Sequence, residues 1–192
     1  MVRSRIWRRA ARGGVTLIEM LVVLTLIGIV AGMALPHVNV TKYRMDAAAR
    51  LVASTLQTAQ RLAVTRQYDV VVSFDQENQR LRMLEDANNN DVADAGERTI
   101  WRPLEEGAHF AEPPVRISAG GSGAVSGSRL RLVDGMESVV FRRSGAASSD
   151  LEVYVTSTRD EENDVRGATV VQATGRTEWF RLIGGTWKQG GA

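Results

Sequence analysis

The sequence predicts an α+β fold in which one long N-terminal helix lies against an antiparallel β-sheet or a small β-sandwich. Three patterns indicate this arrangement. Residues 15 to 35 are almost entirely apolar, residues 37 to 66 place apolar side chains at helical spacing, and the chain from Asp69 onward contains short strand patterns separated by turns. A helix pattern followed by a series of strands is typical of the α+β class.

The apolar run from Val15 to Leu35 is 21 residues long and has one ionisable side chain, Glu19. A helix of this length is about what is needed to cross the ~30 Å hydrocarbon core of a bilayer. The preceding residues contain no acid and five arginines, namely Arg3, Arg5, Arg8, Arg9 and Arg12. Because arginine-rich flanks stay in the cytoplasm, we expect a single-pass helix with a cytoplasmic N-terminus and the rest of the chain outside the inner membrane.

Two other interpretations of the N-terminal region explain less of it. A cleaved secretory signal has an apolar core of about 7–15 residues that ends at a small-residue cleavage site, which does not fit this longer run. A plain signal anchor accounts for the arginines and for the apolar run. It leaves unexplained both Glu19 and the glycine, Gly14, that stands directly before the run.

Residues 14–19 (GVTLIE), followed by an apolar helix and Pro36, resemble the class III signal of type IV pilins and type II secretion pseudopilins. The resemblance implies that a prepilin peptidase cuts after Gly14, that Val15 becomes the methylated mature N-terminus, and that Pro36 is the helix kink. It also implies that other pilins or pseudopilins are partners through the N-terminal helix. The protein would then lie in a bacterial inner membrane with a periplasmic globular domain. One departure is that the family usually has Phe at the position of Val15.

The resemblance gives Glu19 a role in assembly. A carboxylate inside a membrane helix costs roughly 2.5–3.5 kcal/mol and therefore requires a partner. Cleavage after Gly14 would free a positive amine at Val15, and the two charges attract strongly in a low-dielectric helix bundle. The resemblance implies that Glu19 meets the Val15 amine of a neighbouring subunit and sets its register. The alternative is that Glu19 only extends toward the lipid headgroups.

The segment after Pro36 has the periodicity of an amphipathic helix. Its apolar side chains recur at spacings of three and four residues, at Ala48, Leu51, Val52, Leu56, Ala59, Leu62 and Ala63. We therefore expect the membrane helix to continue outward, with a kink at Pro36 because proline has no backbone N–H. The predicted divisions are a cleaved leader (1–14), a transmembrane helix (15–36), its amphipathic continuation (37–66) and a periplasmic β-rich domain (67–192).

Short strands are predicted at intervals through the β-rich part of the chain. The candidates are Asp69–Phe74, Gln79–Leu84, Thr99–Leu104, Arg129–Val133, Ser138–Arg143, Leu151–Ser157, Ala168–Ala173 and Thr177–Leu182. Turns are predicted at residues 75–78 and 174–176. The glycine- and serine-rich stretch 117–128 is interpreted as a flexible loop, and the tail from residue 184 is expected to be irregular.

Composition restricts the chemistry that the chain can perform. Without the first 14 residues the chain has 19 basic and 22 acidic side chains, a formal net charge of −3. This negative charge argues against a basic surface that binds nucleic acid in general. It has no cysteine and two histidines, so disulfides, thiolate ligands and cysteine nucleophiles are excluded. The sequence contains no nucleophile elbow, phosphate-binding loop or HExxH motif. These features predict a structural protein that is not an enzyme.

Weaker motifs in the outer part of the chain narrow the resemblance. The predicted helix contains Ala-Ala-Arg-Leu at 48–51 and Thr-Ala-Gln-Arg-Leu-Ala at 58–63. Later, a strand ends at Phe141 with Gly145 after it, and Val-Val precedes a turn at Gly175. Together these are similar to the minor pseudopilin H family of type II secretion, which includes the FimT-type minor pilins. The resemblance implies a structural subunit of the pseudopilus that exports proteins across the outer membrane.

The alternative function is that of a FimT-type minor pilin of a type IV pilus, involved in DNA uptake. In that group DNA binding is associated with a C-terminal Gly-Arg-x-Arg pattern. Gly175 and Arg176 match the pattern, which makes Arg176 a candidate nucleic-acid contact, but Glu178 stands where the second arginine would be. Because a carboxylate repels phosphate, we favour the secretion function.

The segment from Asp86 to Glu97 has the spacing of a calcium-binding loop. Oxygen ligands fall at positions 1, 3, 5, 7, 9 and 12, supplied by Asp86, Asn88, Asn90, the Val92 carbonyl, Asp94 and Glu97. Position 6 is Asp91 instead of glycine, and strand patterns flank the loop instead of helices. The interpretation that we favour is a polar turn closed by Asx hydrogen bonds. No other cofactor is expected.

Overall fold

The computed structural model describes residues 14–34, 40–118 and 121–190. The chain forms two compact units, Met1–Asn39 and Val40–Ala192, and each is described by itself. The predicted kink at Pro36 and the first 13 residues of the predicted leader lie outside the described residues. None of the helices within the described ranges combines the length and the apolarity that a membrane crossing requires.

The first unit contains helix α1, Leu17–Ala34, which lies inside the segment predicted to be helical. The second unit begins with helix α2, Val40–Arg66. The amphipathic pattern of α2 is confirmed, because Ala48, Val52 and Leu56 are at most 1% exposed. The same buried face is rich in alanine, whose small side chain lets the helix backbone approach the strands closely.

Eleven strands are formed by the described residues of the second unit, and every pairing between them is antiparallel. They are β1 (Asp69–Asp75), β2 (Arg80–Asp86), β3 (Arg98–Pro103), β4 (Ala108–Phe110), β5 (Val125–Gly127), β6 (Arg131–Val133), β7 (Met136–Phe141), β8 (Leu151–Ser157), β9 (Arg166–Val170), β10 (Thr177–Ile183) and β11 (Thr186–Gln189).

The strands form two sheets. One has the order β3-β2-β1-β7-β6, and the other has the order β11-β10-β9-β8-β4, with β5 also pairing with β8. Helix α2 contacts strands of both sheets, and residues from the helix and both sheets share one hydrophobic core. The predicted architecture, a helix packed on antiparallel β-structure, is therefore confirmed for α2 and the strands.

Strand β1 is buried on both of its faces. Val70, Val72 and Phe74 belong to the core that includes α2. Val71 points to the opposite face, where it joins a second, smaller apolar cluster with Leu84, Val133 and Val140. Because successive side chains of a strand point to opposite faces, the continuous Val-Val-Val run fills both clusters.

The prediction that residues 117–128 form a loop is wrong for their C-terminal end. Residues Val125–Gly127 form β5, and Val125 is 2% exposed. Gly127 allows this pairing, because a Cβ at that position would lie 2.3 Å from the Asp150 carbonyl oxygen. The glycine thus permits a close approach of two backbones, and its presence in a strand can signal this as well as a loop.

The prediction of an irregular tail is also wrong. Thr186–Gln189 forms β11, and Ile183 is paired with Thr186 across a two-residue turn. The turn residues, Gly184 and Gly185, have φ angles of +57° and +75°. Two consecutive positive φ angles are the requirement of a type I′ hairpin turn, for which Gly-Gly is a favoured sequence.

Candidate functional site

The N-terminal end of α1 is fixed by a hydrogen bond from within the predicted signal. The Glu19 N–H donates to Thr16 Oγ1 at 3.2 Å, and the Met20 N–H donates to the Thr16 carbonyl at 3.2 Å. Thr16 is therefore the N-cap of α1, and Gly14 and Val15 lie outside the helix. Threonine followed three residues later by glutamate is the spacing of a capping box, a signal that our reading of the sequence missed.

The surface of α1 is apolar around its whole circumference. Leu17 is 84% exposed, Leu24 is 66% exposed and Val30 is 65% exposed, and Glu19 is exposed in the first turn. A helix that is apolar on all sides is stable only where other apolar groups surround it, as in a helix bundle or a membrane. The predicted assembly residue thus lies at the end of a helix whose surface requires burial.

The structure brings the predicted calcium ligands together in one closed loop. Asp86 Oδ1 accepts a hydrogen bond from the Asn90 N–H at 3.1 Å, and its Oδ2 accepts one from the Asp91 N–H at 2.7 Å. The two carboxylate oxygens of Glu97 accept from the N–H groups of Ala87 at 2.9 Å and Asp94 at 3.1 Å. The carboxylates at the first and last ligand positions therefore face backbone donors.

The middle of this loop contains the predicted Asx hydrogen bonds. The Asn88 side-chain oxygen accepts from the Asn90 N–H at 3.1 Å, and the Asn90 side-chain oxygen accepts from the Val92 N–H at 2.8 Å. The side-chain amides of both asparagines donate to Asp94 Oδ2 at 2.7 Å. Asp91, at the position that is usually glycine, has a φ of +62° and pairs with Arg131. The polar-turn geometry is confirmed.

The loop shifts the pKa values of two of its carboxyl groups in opposite directions. The amides of Asn88 and Asn90 lower the pKa of Asp94. Burial raises the pKa of Asp86, and the carboxylates of Asp69 and Asp94 act in the same direction. Among the described residues, no three His, Asp or Glu side chains are grouped so as to hold a metal ion. Calcium binding by this loop remains a prediction.

Gly145 and Gly175, the two glycines singled out in the outer part of the sequence, lie close to each other beside Gln60 of α2. Gln60 Nε2 donates to the Gly145 carbonyl at 3.0 Å and to the Thr174 carbonyl at 2.7 Å. Gly175, in the predicted tight turn, has a φ of +65° and lies so close that an added Cβ would be 2.2 Å from the Gly145 oxygen. One helix side chain therefore ties together the loops that follow β7 and β9. Sequence reasoning identified the glycines and the motif at 58–63, but it did not predict that Gln60 of this motif contacts the glycine loops.

The candidate nucleic-acid contact, Arg176, is engaged within the chain. Its guanidinium pairs with Glu178, and its side chain is 71% exposed. Glu178 also accepts a hydrogen bond from Gln189 Nε2 at 3.1 Å. The residue that departs from the DNA-binding pattern thus neutralises the residue that matches it. Of the two histidines, His37 lies outside the described residues, and His109 Nε2 lies 3.6 Å from Glu161 Oε1.

Comparison with protein families covers both the N-terminal signal and the outer domain. Residues 9–35 match the prokaryotic N-terminal methylation motif, and residues 48–175 match the type II transport protein GspH. The chain belongs to the GspH family. The GspH match begins within α2 and ends at Gly175, before β10 and β11. The methylation motif contains Gly14, Val15 and Glu19. The family assignment therefore agrees with the type II secretion resemblance that the sequence motifs carried.

Two solved structures of the minor pseudopilin EpsH from the type II secretion system of Vibrio cholerae resemble this GspH-family chain. One has a TM-score of 0.43 at 12% identity and covers 76% of this chain and 95% of EpsH. The other has a TM-score of 0.44 at 12% identity, with coverages of 77% and 94%. No curated protein sequence is similar enough to count as a match.

Proposed function

We propose that this chain is made as a precursor, is cut after Gly14 by a prepilin peptidase, and enters the type II pseudopilus through α1. The observation that carries this proposal is the apolar circumference of α1 together with one carboxylate, Glu19, in its first turn. Such a helix is unfavourable in water but suited to a bundle of similar helices. The methylation motif at residues 9–35 supports processing at this end of the chain.

Before assembly, residues 15–36 hold the subunit in the bacterial inner membrane. The five leader arginines stay in the cytoplasm, and the second unit lies in the periplasm. This orientation places the Gly14–Val15 bond on the cytoplasmic side, where the prepilin peptidase cuts. The role of the periplasmic unit is structural, since the GspH family consists of pseudopilus subunits and the chemistry of the chain offers no catalytic motif.

Glu19 has two partners available to it during assembly. Its position in the first turn places its negative charge beside the positive end of the α1 dipole. After cleavage, the free amine of Val15 adds a full positive charge just before the helix. In an apolar bundle, pairing of Glu19 with the Val15 amine of a neighbouring subunit offsets the burial of both charges. That pairing fixes how far one helix slides along the next.

Processing after Gly14 is the first expected result. Protein extracted from the membranes of cells with an active prepilin peptidase should have a mature chain that starts at Val15. Methylation of the new amine would add a further 14 Da, the mass of one CH₂ group. Intact-mass measurement of the extracted protein checks both points. A chain that keeps residues 1–14 in such cells, while a known prepilin in the same cells is cut, would contradict the proposal.

For the second unit, we infer that the loop from Asp86 to Glu97 acts as a polar turn whose calcium affinity is weak at best. Its first and last carboxylates already accept hydrogen bonds from four backbone N–H groups. Binding a cation through those oxygens would compete with these contacts. The one feature that favours a cation is the raised pKa of Asp86, because a bound positive charge would lower that pKa again.

Calcium is therefore expected to change the melting temperature of the full chain in detergent by about a degree or less, because weak binding stabilises little. Thermal unfolding with millimolar calcium, with magnesium and with a chelator measures the change. The Glu97→Gln variant, which removes charge from the last ligand position, should respond in the same way as the wild type. A calcium-specific rise of several degrees that this variant abolishes would show that the loop is a cation site.

A further inference from the structure

Thr16 determines where α1 begins, two residues after the proposed mature N-terminus. Its hydroxyl oxygen accepts the Glu19 N–H at 3.2 Å, and the helix starts at Leu17. Gly14, Val15 and Thr16 have no helical conformation. The proposed scissile bond, between Gly14 and Val15, therefore lies just outside the capped end of the helix.

The side chains around Thr16 do not themselves require the helix to stop there. Val15, Leu17 and Ile18 are apolar, and in an apolar environment a backbone N–H without a partner is expensive. Extending α1 by one or two residues toward the leader would give first-turn N–H groups helical partners. The Thr16 side chain gives one of those donors a partner without such an extension. It is thus the group that holds the helix end at Leu17.

The position of the helix end matters for cleavage. A peptidase binds its substrate as extended backbone, because the groups on both sides of the scissile bond must reach the enzyme. In a helix the same peptide groups lie parallel to the helix axis and are hydrogen-bonded to neighbouring turns. Exposed, non-helical segments are accordingly the preferred sites of proteolysis. A helix that extended through Val15 would remove the Gly14–Val15 bond from reach.

We propose that Thr16 is a positioning residue for leader processing: its N-cap keeps the Gly14–Val15 bond outside α1 and open to the peptidase. This inference rests on the proposed cleavage after Gly14 and adds the residue that presents the bond. Thr16 acts through the backbone conformation of its neighbours and needs no contact with the enzyme. Any good N-cap residue should therefore replace it, whatever its shape.

The test compares cleavage rates of full-length precursors in membrane vesicles with purified prepilin peptidase. Thr16→Val keeps the shape of threonine but removes the hydroxyl, whereas Thr16→Ser and Thr16→Asn keep a capping group with a different shape. We expect Thr16→Val to be cut roughly five-fold more slowly than wild type, the population change that loss of an N-cap represents. Thr16→Ser and Thr16→Asn should be cut at close to the wild-type rate.

A matched control is available within the same helix. Thr25 Oγ1 donates to the Val22 carbonyl at 2.8 Å in the middle of α1, so Thr25→Val removes a hydroxyl without affecting the cap. It should be cut at the wild-type rate. Equal rates for Thr16→Val and wild type would overturn the inference, as would slow cleavage of Thr16→Asn, which would indicate recognition of the threonine shape. If the wild-type precursor itself is not cut, the proposed processing fails instead.

Discussion

Replacing Gly175 with alanine is expected to lower the free energy of unfolding by about 3–4 kcal/mol. The left-handed backbone, at φ +65°, costs an alanine roughly 1–2 kcal/mol. The new Cβ would lie 2.2 Å from the Gly145 oxygen and 2.6 Å from Gln60 Nε2, so the loops must move apart. The two hydrogen bonds from Gln60 would then be lost, at about 1 kcal/mol each.

Gly184 provides the control for this prediction. Its φ angle is +57°, and a Cβ there would have no neighbour within 4 Å. Gly184→Ala should therefore lose only the conformational part, about 1–2 kcal/mol. Urea unfolding of both variants in the full chain in detergent measures the difference. Equal losses would show that the contact between Gly175, Gly145 and Gln60 does not stabilise the fold.

The Asp46→Ala variant, which removes a carboxylate, should have a free energy of unfolding about 3 kcal/mol lower than wild type. On α2, Asp46 Oδ1 lies 2.7 Å from Arg166 Nε of β9, and Oδ2 lies 2.9 Å from Arg181 Nη2 of β10. The Arg166 side chain is 6% exposed. Breaking a buried pair by removing one partner costs roughly 3–5 kcal/mol. The lower end applies because Asp164 remains 2.9 Å from Arg166.

An exposed ion pair near the same end of α2 is the matched control for Asp46→Ala. Arg44 and Glu106 lie 3.5 Å apart, with side chains that are 48% and 90% exposed. Glu106→Ala should change the free energy of unfolding by less than about 1 kcal/mol, as is usual for a surface pair. If the two variants unfold at the same urea concentration, the Asp46 pairs do not hold α2 on the second sheet.

Periodicity allowed the elements that form the core to be predicted. The buried face of α2 follows from spacings of three and four, and Leu151–Ser157 was predicted with the bounds that the structure shows. These segments are recognisable because each buries a regular set of side chains along its own length. β5 and β11 cannot be recognised in this way, because their pairing depends on the backbone of a neighbouring strand and on glycine conformation more than on apolar side chains.

Contacts between residues far apart in the sequence account for most of what could not be predicted. Asp46 and Arg166 are 120 residues apart, and Gln60 reaches two loops that are 85 and 114 residues away. Polar residues on a helix give no local sign of such partners. The N-cap at Thr16 differs, because both residues of the Thr-x-x-Glu spacing are visible in the sequence.

The most direct test of assembly through α1 is the co-purification of Glu19→Ala with the partner pseudopilins. The variant should insert into the membrane at least as well as wild type, because a costly charge is removed. Its recovery with the partners from mild detergent should fall by about ten-fold or more, since the Val15 amine loses its counter-charge. Glu106→Gln, which removes an exposed charge from the second unit, should be recovered like wild type. Unchanged recovery of Glu19→Ala would mean that Glu19 only faces the headgroups, and would contradict assembly through this charge pair.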